Sequence, residues 1–120
     1  MNTMILLVED NAEMQNILRE LLEYGGYEVL CGRNGLEGLE ALNALNGIPD
    51  IIISDIKMPG MDGVVFLQQV RNNPSWNDAR FVIMTADPHD ARLKTDMANG
   101  LDGILPKPFS LEQLNDILGL

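Results

Sequence analysis

Apolar and polar positions change period at regular intervals along this chain. Met4 to Val8 is a continuous apolar run, and Ala12 to Tyr24 then places Met14, Ile17, Leu18, Leu21 and Leu22 at helical spacing. The first pattern predicts a buried strand. The second predicts an amphipathic helix, begun by Asn11 as N-cap and stopped by Gly25-Gly26. The alternation repeats: strand Tyr27 to Cys31, helix Leu36 to Leu45 with Leu36, Leu39, Leu42 and Leu45 as its stripe, and strand Ile51 to Ser54. After the Pro59-Gly60 turn come a helix over Val64 to Arg71, a strand over Phe81 to Met84 and a weakly apolar fourth helix, about Asp90 to Ala98, ended by Gly100. Strand Gly103 to Leu105 and a last helix, Leu111 to Leu118 capped by Ser110, complete the series.

Strands that alternate with helices through short connections predict a parallel sheet covered on both faces, because right-handed crossovers are nearly obligatory. Five such units favour a doubly wound, flavodoxin-like α/β sheet of strand order 2-1-3-4-5, with the ligand crevice at the switch point between strands one and three. At 120 residues, 46% hydrophobic and 22% charged, the chain is expected to form a single domain over residues 1–120. No basic and apolar leader and no long apolar run suggests export or a membrane span, so a cytoplasmic location is expected. Eight basic against eighteen acidic residues give a net charge of −10, which argues against unaided binding to nucleic acid or anionic lipid. The lone Cys31 has no disulfide partner and reads as a small core or edge residue.

The carboxyl ends of the predicted strands carry the chemistry: Glu9-Asp10 after strand one, Asp55 after strand three, Thr85 after strand four and Lys107 after strand five. In the order 2-1-3-4-5 all five fall on one edge. Neighbouring strands lie about 4.8 Å apart, so the acidic pair flanks Asp55 on one side and Thr85 on the other, while Lys107 must reach on the order of 10 Å. Three clustered carboxylates repel one another unless a cation is shared. A hard divalent ion, Mg2+, suits them, since it takes oxygen ligands and usually keeps several waters. Asp10 and Asp55 are assigned as direct ligands, Glu9 as a water-mediated one and the Lys57 backbone carbonyl as a further candidate. With the metal and Lys107 screening negative charge, Asp55 can attack phosphorus as an aspartyl nucleophile, and Thr85 is placed to donate to a phosphoryl oxygen.

Read in order, Leu6-Leu7-Val8-Glu9-Asp10-Asn11, Ser54-Asp55-Ile56-Lys57-Met58-Pro59-Gly60-Met61-Asp62-Gly63, Met84-Thr85-Ala86 and Leu105-Pro106-Lys107-Pro108-Phe109 resemble the receiver domain of two-component response regulators. The resemblance covers essentially the whole chain. It implies that Asp55 accepts phosphate from a phosphohistidine on a sensor histidine kinase or histidine phosphotransfer protein, with magnesium required. It also implies that Thr85 and Lys107 read the phosphate, that Lys107-Pro108 is cis, and that a changed surface on the fourth helix, fifth strand and last helix regulates a downstream protein or output domain. A homodimer formed on phosphorylation stays open, with Ala91, Leu93, Ile104 and Pro106 as surface candidates. Enzymatic activity beyond self-catalysed phosphotransfer and dephosphorylation is not expected. A binding-only receiver and a small phosphatase with an aspartyl nucleophile are the alternatives; the second is disfavoured because such enzymes carry their nucleophile in an Asp-x-Asp motif on strand one, where this chain has Glu9-Asp10-Asn11.

One departure stands out. Family members often carry Tyr or Phe where this chain has Ile104, so an aromatic rotamer switch is absent and activation is expected to run through the Thr85 to Pro88 loop and the fourth helix. Lys57 and Asp87 are expected to flank the phosphoryl group. Trp76 is expected to half-bury in the polar loop Asn72 to Arg80, and His89 to be solvated. Gly32, Gly35 and Gly38 do not match the dinucleotide fingerprint.

Overall fold

The computed structural model describes residues 3–95 and 98–119. Five parallel strands, β1 (Met4–Val8), β2 (Glu28–Gly32), β3 (Ile51–Asp55), β4 (Arg80–Thr85) and β5 (Gly103–Pro106), form one sheet in the order β2-β1-β3-β4-β5. This is the expected topology. Among the described residues four α-helices flank it: α1 (Ala12–Tyr24), α2 (Gly35–Ala44), α3 (Gly63–Arg71) and α4 (Leu111–Leu118).

The inner strands are apolar through their middles because both of their faces are covered. Ile5, Leu7, Ile51, Ile53, Val82 and Met84 turn to one face, where Leu18 and Leu22 of α1 and Leu114 and Leu118 of α4 close over them. Leu6, Val8, Ile52, Phe81 and Ile83 alternate to the other face, under Leu42 of α2 and Val64, Phe66, Leu67 and Val70 of α3. Phe66 and Phe81 meet edge to face there, with ring centroids 5.4 Å apart. Asn11, Asn34, Asp62 and Ser110 each cap a helix by accepting a backbone N–H, so every α-helix starts at a short polar side chain.

Several expectations about faces need correction. In α1 only Leu18 and Leu22 are buried, whereas Met14, Ile17 and Leu21 are exposed on the outer side. In α2, Leu36 is exposed and the buried positions are Gly35, Gly38 and Leu42. The glycines explain this. A Cβ on Gly38 would lie 2.7 Å from the Phe66 ring, and one on Gly35 would lie 2.7 Å from the Met61 sulfur, so α2 rides on α3 and its preceding loop by its bare backbone. Trp76 ends a short 3-10 turn, Pro74–Trp76, and is only 8% exposed within the core rather than half-buried.

The fourth predicted helix is the largest difference. Ala91–Lys94 forms a 3-10 turn, and Thr95 has extended backbone angles; Asp96 and Met97 of that prediction lie outside the described residues. Only Leu93 of the turn is buried, so a longer helix here would have little apolar surface to cover. The Thr95 hydroxyl also donates to the Arg92 carbonyl at 3.1 Å, a local bond that competes with helix continuation. Burial of Leu93 removes it from the surface candidates.

Candidate functional site

The register brings the polar strand ends together. Val8 pairs with Ser54, Asp55 with Met84 and Thr85 with Pro106, so the next residue of each strand emerges on the same edge of the sheet. Glu9, Asp10 and Asp55 each offer a carboxylate oxygen, and these atoms lie within 4.8 Å of one another. Glu9 and Asp55 are buried at 1% and 9% exposure, whereas Asp10 is exposed. Lys107 spans the strands as its length allows: its Nζ lies 3.1 Å from Glu9 Oε1 and 3.2 Å from Asp55 Oδ2. The other Asp55 oxygen, Oδ1, accepts the Ile56 N–H at 2.8 Å. Asp55 is thus held at both oxygens.

Thr85 is buried, and its Oγ1 accepts the Asp87 N–H at 2.9 Å, which leaves the hydroxyl proton free to donate. The Lys57 carbonyl accepts no hydrogen bond among the described residues, so it too is available. Lys107-Pro108 is cis. The Lys57 side chain is exposed and makes no ion pair with Asp87 among the described residues; its charge instead acts on Asp90, whose carboxyl Arg92 and then Lys57 hold below the usual range. Arg92 was not singled out by sequence reasoning. It joins Asp62 at 2.6 Å and Asp90 at 3.3 Å, which ties the segment after β4 to the N-cap of α3. Asp90 lies two residues away in sequence, but no motif spacing announces the bond to Asp62, which only the fold brings near.

The electrostatics of the edge favour a cation. Burial first, and the neighbouring Asp55 second, push the Glu9 carboxyl from 4.5 up to about 7 against the pull of Lys107. Burial works against the Lys107 ammonium as well, yet Asp55 and Glu9 raise it above its ordinary range. Glu9 Oε2 is buried without a hydrogen-bond partner. An orphaned carboxylate oxygen beside two more carboxylates is a donor set that fits a hard divalent ion.

A pH dependence follows. The folded pKa of Glu9 lies above its unfolded value of 4.5, so its contribution to stability is fully present below 4.5 and is lost as pH rises through about 7. Metal-free protein is therefore expected to be about 2 kcal/mol less stable at pH 8 than at pH 5.5 through this group. Urea unfolding in EDTA at both pH values measures this. Added Mg2+ is expected to restore stability chiefly at pH 8, and equal metal-free stabilities would count against a strained Glu9.

Known proteins match the sequence and the fold. The response regulator receiver domain family matches residues 5–119. The probable chemotaxis protein CheY of Rhizobium etli is 32% identical over 114 residues, which cover 92% of this chain and 84% of that protein. The response regulator MprA of Mycobacterium bovis is 32% identical over 95% of this chain, which spans 48% of MprA. The sensor kinase CckA of Brucella abortus is 37% identical over 92% of this chain, which spans 11% of CckA. Among solved structures, chemotaxis protein CheY4 of Vibrio cholerae superposes with a TM-score of 0.89 at 29% identity, covering 98% of this chain and 97% of that one. The receiver domain of a sensor histidine kinase from Pseudomonas aeruginosa, solved with a magnesium ion coordinated in its active-site cleft, superposes with a TM-score of 0.86 at 25% identity, covering 98% and 95%. With a family match that runs nearly from end to end, and with the acidic edge that the sheet order assembles, the chain belongs to the response regulator receiver domains of two-component signalling.

Proposed function

We propose that this chain works as a single cytoplasmic receiver domain that takes a phosphoryl group from a phosphohistidine on a sensor histidine kinase or histidine phosphotransfer protein. The observation that carries this reading is the edge itself, with three carboxylates whose oxygens lie within 4.8 Å and a lysine bridging two of them. Asp55 is the nucleophile. It is positioned at both oxygens, by the Ile56 N–H on one and the Lys107 ammonium on the other. Asp10, Asp55, the Lys57 carbonyl and Glu9 through a water would hold Mg2+, which supplies charge neutralisation for the incoming phosphoryl group. An Asp55 oxygen forms the new bond to phosphorus as the phosphorus–nitrogen bond breaks, and the imidazole leaves with a proton. Lys107 then contacts a phosphoryl oxygen, and the free Thr85 proton is donated to another. The enzymatic part is limited to this self-catalysed transfer and to self-catalysed dephosphorylation, in which water takes the phosphoryl group as inorganic phosphate and Asp55 is regenerated.

The test is incubation with a small acyl phosphate donor, with and without Mg2+, followed by intact mass and peptide mapping. One phosphoryl group on the peptide containing Asp55, formed only with metal, is expected. No adduct despite measured Mg2+ binding would favour a binding-only receiver.

Output is proposed to run through the segment from Asp87 to Leu101 together with β5 and α4, toward a downstream protein or output domain. Ile104 is partly buried against the core and offers no ring to flip. Arg92 therefore matters: its bond to Asp62 is the tether that a shift of the Thr85–Pro88 loop must strain. On phosphorylation, amide resonances of Asp87 to Thr95 and of β5 are expected to move more than those of the outer face of α1. Unchanged shifts there would remove this route.

A further inference from the structure

Gln15 lies one turn into α1, and its side-chain amide ties the junction between β1 and α1 to the end of β2. Its Nε2 donates to the Glu9 carbonyl at 3.2 Å and to the Gly32 carbonyl at 2.9 Å. Both partners are acceptors with no proton, so the NH2 end of the amide has to face them. The Gly32 carbonyl also receives the Glu9 N–H at 3.0 Å, which leaves Glu9 held at both of its backbone groups. Asn11 is held on the other side, by its cap to the Met14 N–H at 3.0 Å and by the Gln15 N–H on its carbonyl at 2.9 Å. Asp10 is the residue between these two fixed points.

We propose that Gln15 is a positioning residue for the divalent-cation site: its amide fixes the backbone of Glu9 so that the Asp10 carboxylate stands beside Asp55 before any cation arrives. This rests on the receiver reading above. The physical need is plain. Asp10 is exposed and lies among like charges, so repulsion favours swinging it into water, and an untethered junction would have to be ordered each time a cation bound. Gln15 carries no charge and touches no carboxylate oxygen. It acts on affinity through geometry, as outer partners of metal ligands do.

The test compares wild type with Gln15→Met, which keeps length and helix preference but has no N–H to donate. Mg2+ affinity is read by titrating MgCl2 while following the Asp10 and Ile56 amide resonances, and phosphorylation is measured as a function of Mg2+. A roughly tenfold weaker affinity is expected, at the low end of what losing an outer-shell partner costs. The phosphorylation rate should return to the wild-type value at saturating Mg2+, because Asp55, Thr85 and Lys107 are untouched. A lower urea midpoint with unchanged affinity would mean that the amide only stabilises the fold, and would overturn the proposal. Gln15→Glu gives a second reading: simple charge attraction predicts tighter Mg2+ binding, whereas a carboxylate facing two carbonyls is expected to loosen the junction and weaken it. Tighter binding by this variant would also overturn the proposal. Wild type that shows no Mg2+-dependent shifts would refute the cation site itself, an outcome distinct from a variant that binds as well as wild type.

Discussion

Asp55→Asn is expected to abolish phosphoryl incorporation, bringing the adduct down to the level seen without Mg2+, while the protein stays folded. The amide oxygen is a poor nucleophile, and the substitution takes away the charge that Lys107 meets at 3.2 Å. The fold should tolerate the change because one of three mutually repelling carboxylates becomes neutral. Asp55 is the second cause of the raised Glu9 pKa after burial, so Glu9 should titrate lower in the variant, although burial keeps it above 4.5. Metal-free Asp55→Asn protein is accordingly expected to lose less stability than wild type between pH 5.5 and pH 8. Intact mass, peptide mapping and urea unfolding on the same preparation separate chemistry from folding. Persistent phosphorylation would mean that another carboxylate accepts the group, and exposed Asp10 would be the first to examine.

The strand ends were legible because position and residue type agree. Ile51 to Ser54 reads as a buried strand, and an ionisable residue directly after such a run has to sit at the edge of the sheet, where Asp55 is found. Lys107 could be matched to Asp55 from reach alone, and its Nζ bridges the expected gap. Helix faces were less legible. Met14, Ile17 and Leu21 share the spacing of Leu18 and Leu22, and periodicity cannot tell which side of a wide apolar stripe meets the sheet. In α2 the buried side is marked by glycines, which hydropathy does not score, so Leu36 looked like core and Gly38 did not. The segment after β4 misled for a related reason: Asp90 to Ala98 has a helical composition, but among its described residues Leu93 alone is fully buried and Ala98 only partly packs against the core. Gln15 and the Arg92–Asp62 bond gave no signal because the partners are backbone carbonyls and a carboxylate thirty residues away that only the fold assembles.

Gly63→Ala is expected to cost about 3 kcal/mol, far more than its place in an ordinary Asp-Gly turn suggests. Gly60 and Gly63 stand three residues apart in one loop, but the reasons for glycine differ. Gly60 has φ of +77° and nothing within 4 Å of where a Cβ would stand, so Gly60→Ala pays only the left-handed backbone strain, roughly 1–2 kcal/mol. Gly63 has no such φ. A Cβ there would run into the Asp55 carbonyl oxygen and stand 2.9 Å from the Ile56 Cα, both backbone atoms that cannot turn aside. The start of α3 is also pinned in place, since the Gly63 N–H donates to the Ile56 carbonyl at 2.8 Å and Asp62 caps Val65 while holding Arg92. Relief must therefore come by pushing α3 off the sheet or by moving Asp55 itself. The two responses are separable: displacement of α3 lowers the urea midpoint while phosphorylation of the folded fraction survives, whereas displacement of Asp55 slows phosphorylation even under conditions where the variant is fully folded. A Gly63→Ala protein as stable and as readily phosphorylated as the Gly60→Ala protein would show that the acceptor strand and α3 are not in rigid contact, and the tight backbone approach beneath Asp55 would then have no role in holding the nucleophile.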